Sequence, residues 1–175
     1  MDVQTVVVDH YPDPTYLPRL GEAISAARAD GIPVIYVVVG FRPGFPEIST
    51  RNKMFGPLAR STAVVSSEAA TQIHPDVAPE PGDIIVTKRR VSAFAGSDLE
   101  MVLRASGIDH LVLTGIATSG VVLSTVRQAA DMDFALTVLS DGCLDADLEV
   151  HHVLTDKVFP RQADVTTVAD WVAAH

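Results

Sequence analysis

The chain has 175 residues, 47% of them hydrophobic and 20% charged, and a formal net charge of -9 at pH 7. This length is enough for one self-supporting core, so a single domain over residues 1–175 is expected, while the acidic balance argues against nonspecific binding to nucleic acid or acidic membranes. No apolar run approaches the ~20 residues that cross a bilayer, no basic leader precedes a hydrophobic block, and the lone Cys143 excludes an internal disulfide; a cytoplasmic protein without membrane partners is expected.

In chain order, Val3 to Val8 is a mostly β-branched run ending at Asp9 and predicts a first strand. Pro12 and Pro14 break it, and Thr15 is placed to cap a helix running to about Ala29, with Leu17, Leu20, Ile24 and Ala27 on one face. Gly31 stops that helix, and Pro33 opens a second strand, Val34 to Val39. A long irregular stretch follows from Gly40 to Pro81, with a short helix expected around Ser66 to Thr71. A connection this long is usually functional, and a lid over the site is one role open to it.

Ile84 to Val86 predicts a third strand, and Ser97 the cap of a helix from Asp98 to Ser106. Leu111 to Thr114 is an apolar run bounded by Gly115, and after Ser119 the apolar residues Val121, Val122 and Val126 begin a helix at once. Leu136 to Leu139 predicts a strand, Asp147 to Val158 a helix, Ala163 to Thr166 a last strand, and Trp171 lies in a short C-terminal helix. Strands alternating with helices predict an α/β fold, a doubly wound three-layer α/β/α sandwich around a mostly parallel sheet of about six strands.

In such a sheet the carboxyl ends of the strands share one edge, where ligands bind. That edge would gather Asp9, Phe41 and Arg42, Lys88, the Gly115 to Ser119 turn and Cys143. Asp9 beside Lys88 would form a coupled acid–base pair, the plain alternative being a salt bridge tying two strand ends. The turn into the helix would present backbone N–H groups to an anion or an oxyanion.

Four stretches resemble the isochorismatase-like hydrolase superfamily, which includes cysteine hydrolases, nicotinamidases and isochorismatases. They are Val6-Val7-Val8-Asp9, Val86 to Phe94 continuing through Gly96-Ser97-Asp98-Leu99, Thr114-Gly115-Ile116-Ala117-Thr118, and Asp141 with the helix through Phe159-Pro160-Arg161. The resemblance implies Asp9 and Lys88 as catalytic residues and a cis peptide at Ile116-Ala117. It also implies a homodimer or larger homo-oligomer.

The departures carry chemical weight. In the family's cysteine hydrolases the nucleophile stands three residues after the threonine matching Thr118; here that position is Val121, which cannot attack a carbonyl. Isochorismatases have glycine there. Val38 to Pro43 lacks the Asp-x-His pattern that binds metal in nicotinamidases, and Tyr11 stands where a glutamine often follows the catalytic Asp by two residues. Cys143, near Asp141, Asp145 and Asp147, reads as a small half-buried residue rather than a substitute nucleophile.

What remains is acid–base chemistry without a thiol: Asp9 delivering a proton, Lys88 holding it, with a vinyl-ether or other carboxylate-bearing small molecule as substrate. Arg42 would hold the carboxylate, with Tyr11, Phe41, Phe94, Ile116, Ala117, Thr118, Ser119 and Gly120 lining the pocket. No histidine pair has ligand spacing, so neither metal nor cofactor is expected. Two alternatives stand beside this reading: an amide or C–N hydrolase using water or an atypical nucleophile, and a catalytically silent binding or scaffold protein.

Overall fold

The structure, a computed structural model, describes residues 1–60 and 71–175. Its strands are β1 (Ile35–Val39), β2 (Ile84–Lys88), β3 (His110–Ile116), β4 (Ala135–Leu144) and β5 (Asp164–Thr166). The helices are α1 (Thr5–Val8), α2 (Tyr16–Ala29), α3 (Gly56–Arg60), α4 (Leu99–Ala105), α5 (Leu123–Asp131), α6 (Leu148–Val153) and α7 (Val168–Ala173). The short helix expected around Ser66 to Thr71 falls largely outside the described residues.

Every pairing between these strands is parallel. β1 lies on β2 with Ile35 opposite Ile84 and Val39 opposite Lys88, while β3, β4 and β5 pair in that order. Adjacent residues of β4 show why both faces are covered. Val138 packs with Leu99 and Leu103 of α4 and Val126 and Ala129 of α5, whereas Leu139 packs with Ala23 and Ala27 of α2 and Val168 and Trp171 of α7. Neighbouring strand residues point to opposite faces, so a strand buried on both sides reads as a continuous apolar run. Helices over both faces of parallel strands make the α/β/α sandwich the sequence predicts.

The first predicted strand is a correction. Gln4 forms an isolated antiparallel bridge to Ile73, and Thr5 to Val8 form α1, leaving five strands among the described residues. The reason is the Gln4 side chain. Its amide donates to the Val39 carbonyl at 3.0 Å and accepts from the Val39 N–H at 2.8 Å, filling the place a further strand residue would take. Val3 and Thr5 hydrogen-bond antiparallel to His74 and Gln72 instead, and beyond Thr5 tertiary context overrides the β-propensity of the run. A further change is at the last long helix, which is α-helical only to Val153 and continues as a wider π-type turn over Leu154–Val158. Thr15 does not cap α2 with its side chain; its N–H and hydroxyl both donate to Asp13.

The sheet is in two pieces. β1 and β3 are not hydrogen-bonded to each other, and what joins them is the start of the chain. The Met1 amino group donates to the Thr114 carbonyl at 3.1 Å, and the Ile116 N–H donates to the Met1 carbonyl at 3.2 Å. On the other side, the Asp2 N–H donates to the Val37 carbonyl at 2.8 Å.

Candidate active site

Lys88 is the last residue of β2, where the sequence places it, and its side chain is buried. Its ammonium does not meet Asp9. It pairs with Asp2, Nζ to Oδ2 at 2.9 Å, and donates a second bond to the Arg90 carbonyl at 3.0 Å. Asp9 is exposed and closes α1, because the turn of the chain at Thr5 carries it off the sheet. The acid that the strand ends bring to Lys88 is therefore Asp2. A usable signal was present: Gln4 follows Asp2 by two residues, the spacing that Tyr11 fails to satisfy after Asp9.

Asp2 is buried between β1 and β3 with its two oxygens in different situations. Oδ2 accepts from Lys88, while Oδ1 is buried and has no hydrogen-bond partner among the described residues. Burial raises the Asp2 pKa above the ordinary aspartate value, and the neighbouring Lys88 charge only partly offsets this. A carboxyl held in this way retains its proton to higher pH than a solvated one and carries an oxygen with no hydrogen-bond partner among the described residues.

The Ile116-Ala117 peptide is cis, as the resemblance implies. Gly115, before it, has φ near +150° and passes so close to Met1 that an added Cβ would lie 2.4 Å from the Met1 carbonyl oxygen. Gly115→Ala should therefore displace the Met1-Asp2 segment and cost about 1–3 kcal/mol. A chemical denaturation midpoint equal to that of the parent would contradict this close approach.

Beyond the cis peptide, Thr118 is fully buried and hydrogen-bonds through Oγ1 to His151 Nδ1 at 2.8 Å. Burial holds the His151 pKa below the ordinary value, with the adjacent His152 acting in the same direction and Asp145 and Asp156 against it. The backbone N–H groups expected to be open to substrate are already used: Ser119 N–H donates to Asp145 Oδ2 at 2.7 Å and Gly120 N–H to the Ala117 carbonyl at 3.0 Å. Burial of Asp145 is outweighed by hydrogen bonds from the Ser119 side chain and backbone and from the Asp147 and Ala146 N–H groups, which hold its pKa low. Tyr11 is half-buried nearby; burial raises its phenol pKa, and the Asp145 charge adds to that. His151 and Asp145 carry no motif and escape sequence reasoning.

The other expected lining residues divide. Arg42 is exposed and ion-paired to Glu47 at 2.7 Å, so its guanidinium is engaged in the loop. Phe41 stacks edge-on with Phe45 and Phe55, an aromatic cluster of the same loop. Phe94 is a core residue beside Phe134, and Val121 is buried in that same cluster with Cys143. Cys143 is buried completely rather than by half, opposite Gly115, and burial pushes its thiol up to about 12. The native protein should thus leave Ellman's reagent unreacted at neutral pH and consume one equivalent only on unfolding. Rapid reaction of the folded protein would show a thiol open to chemistry.

Comparison with known proteins gives concordant matches. Residues 1–170 match the isochorismatase domain. The chain is 36% identical over 152 residues to the uncharacterized isochorismatase family protein YecD of Escherichia coli O157:H7, covering 87% of this chain and 79% of that one. It is 31% identical over 175 residues to the ureidoacrylate amidohydrolase RutB of Pseudomonas syringae pv. syringae, covering 90% of this chain and 67% of the relative. Against a further RutB, from Stutzerimonas stutzeri, the chain spans 66% of the relative's length. Among solved structures, an isochorismatase family protein from Burkholderia thailandensis superimposes with a TM-score of 0.84 at 29% identity, covering 99% of this chain and 91% of that one.

Proposed function

Because this chain belongs to the isochorismatase family of hydrolases, we propose that it hydrolyses a small molecule by general acid–base chemistry on Asp2, with Lys88 as its charge partner and no thiol nucleophile. The observation that carries this reading is the buried Asp2–Lys88 pair, with one carboxylate oxygen bound to the ammonium and the other without a hydrogen-bond partner among the described residues. A proton held on a buried carboxyl is available to a weakly basic substrate atom, and the ammonium stabilises the carboxylate left behind. With valine at 121 no acyl-thioester forms there, so water must be the group that completes the reaction.

For a vinyl ether, the sequence is protonation of the alkene carbon, addition of water to the oxocarbenium ion, and collapse of the hemiketal to a carbonyl and an alcohol. Turnover of a vinyl-ether panel, followed by release of the carbonyl product, tests the assignment; no turnover of any vinyl ether would remove it. The likeness to ureidoacrylate amidohydrolases favours a second reading, C–N hydrolysis with water as nucleophile, read out as ammonia released from ureido substrates.

The exposed apolar side chains of Leu148, Val150 and Val153 on α6 support a homo-oligomer. Light scattering should give more than one chain per particle; a monomer at micromolar concentration would refute that part.

A further inference from the structure

Asp2 Oδ1 is not alone in lacking a hydrogen-bond partner among the described residues; the Tyr16 hydroxyl, Thr5 Oγ1, Arg28 Nε and Glu47 Oε2 share that condition. Arg28 and Glu47 are ion-paired through their other atoms, and Thr5 is only half-buried. Asp2 and Tyr16 are different, with exposures of 8% and 1%. A polar group sealed off to that degree is costly unless something hydrogen-bonds to it.

Both groups come to the same end of the sheet. Tyr16 is the first residue of α2 and packs in the cluster that holds Val3, the neighbour of Asp2, and Ile116, the last residue of β3. Asp2 has φ near +57°, so the alternation that sends successive strand residues to opposite faces does not separate it from Val3. Burial pushes the Tyr16 phenol well above its usual value, with Cys143 and Asp2 acting in the same direction and Arg19 against them. The hydroxyl is therefore a neutral donor at neutral pH, within the field of the Asp2 carboxylate.

We propose that Tyr16 is a positioning residue of this site: its hydroxyl and Asp2 Oδ1 hold one water molecule between them, the water that hydrolysis consumes. The inference rests on Asp2 being the acid. The Tyr16 O–H donates to the water, and the water donates to Oδ1, which supplies both protein groups with a partner. One lone pair of the water stays free. Once Asp2 has given its proton to the substrate, that lone pair forms the new bond to the electron-poor carbon. The O–H bond directed at Asp2 then breaks, its proton passes to the carboxylate, and the acid is restored without a further reactant.

Tyr16→Phe in the full chain tests this, because it keeps the ring and removes only the donor. With 13C-labelled aspartate, the Asp2 carboxyl signal is the one missing from Asp2→Asn. In Tyr16→Phe its titration should show the proton bound at least about threefold more tightly than in the parent, since the ionised carboxylate loses its fixed donor. On any substrate turned over, kcat should fall by about 10–100-fold with KM changed less than about threefold. A crystal structure of the parent should show an ordered water within about 3.2 Å of both oxygens, a result independent of whether the variants fold. An unchanged Asp2 titration, or two oxygens that share no water, would overturn the proposal. So would a higher thermal midpoint in Tyr16→Phe, the result of removing a buried hydroxyl that nothing serves. Full activity in Tyr16→Phe beside an inactive Asp2→Asn removes the water site alone, whereas full activity in Asp2→Asn removes the acid and this inference with it.

Discussion

Asp2→Asn should lower kcat by about 10²–10⁴-fold on whichever substrate is turned over, while Asp9→Asn leaves it unchanged. Asparagine keeps the shape of the side chain and can still accept from Lys88, but it has no proton to deliver from the unpartnered oxygen. Asp9 lies exposed at the end of α1, with its carboxylate in solvent. The pH profile supplies an independent sign. Burial raises the Asp2 pKa, and the acid acts only while protonated, so kcat/KM should decline as pH rises through that raised value and the decline should be absent in Asp2→Asn. Equal activity of Asp2→Asn and the parent, with circular dichroism showing both folded, would remove the proposed chemistry.

Lys88→Met should be the most destabilising single change at this site, costing about 3–5 kcal/mol near neutral pH. Methionine fills much of the lysine stem's volume, so the loss reports the charge: a buried carboxylate keeps its desolvation cost and loses its main offset. In a chain of this size that corresponds to a thermal midpoint lower by roughly 6–20 °C. The effect has a definite pH dependence. With Lys88 gone, burial acts nearly unopposed and the folded-state pKa of Asp2 moves further above its unfolded value, so the native state binds the proton more tightly than the unfolded chain. Stability must then rise as pH falls through the folded pKa toward the unfolded value near 3.8, and the deficit of the variant should shrink on acidification. A deficit of the same size at about pH 5 and about pH 8 would show that packing, not charge, is the role of Lys88.

The residues of this site differ in how far their place in the fold is set by neighbouring sequence. Lys88 and the Gly115 to Thr118 turn follow short apolar runs, Ile84 to Val86 and Leu111 to Leu113, whose strand character is local and survives in β2 and β3. The acid was misplaced because Val6-Val7-Val8-Asp9 has the local look of a strand ending in a carboxylate, whereas Asp2 has one residue before it and no run to mark it. Just before the valines turn into a helix, Gln4 bonds to Val39, and Val3 and Thr5 to His74 and Gln72, contacts across 35 residues or more. Arg42 failed for a related reason: its position after β1 was right, but Glu47, five residues on, neutralises it. The turn at Ser119 was identified, yet Asp145, from beyond β4, had already taken the N–H that substrate was expected to use.

By itself, the order of residues determined the α/β alternation, the parallel strands, the lysine at a strand end and the absence of a thiol at position 121. These depend on periodicity and composition within a few residues, where hydrophobic burial and backbone geometry act together. Only the tertiary structure decided that Asp2 is the partner of Lys88, that Cys143 is buried out of reach, and that β1 and β3 are not hydrogen-bonded to each other. A carboxylate's role depends on how far it is drawn from water and which charge meets it there, and both are set by chain segments distant in sequence.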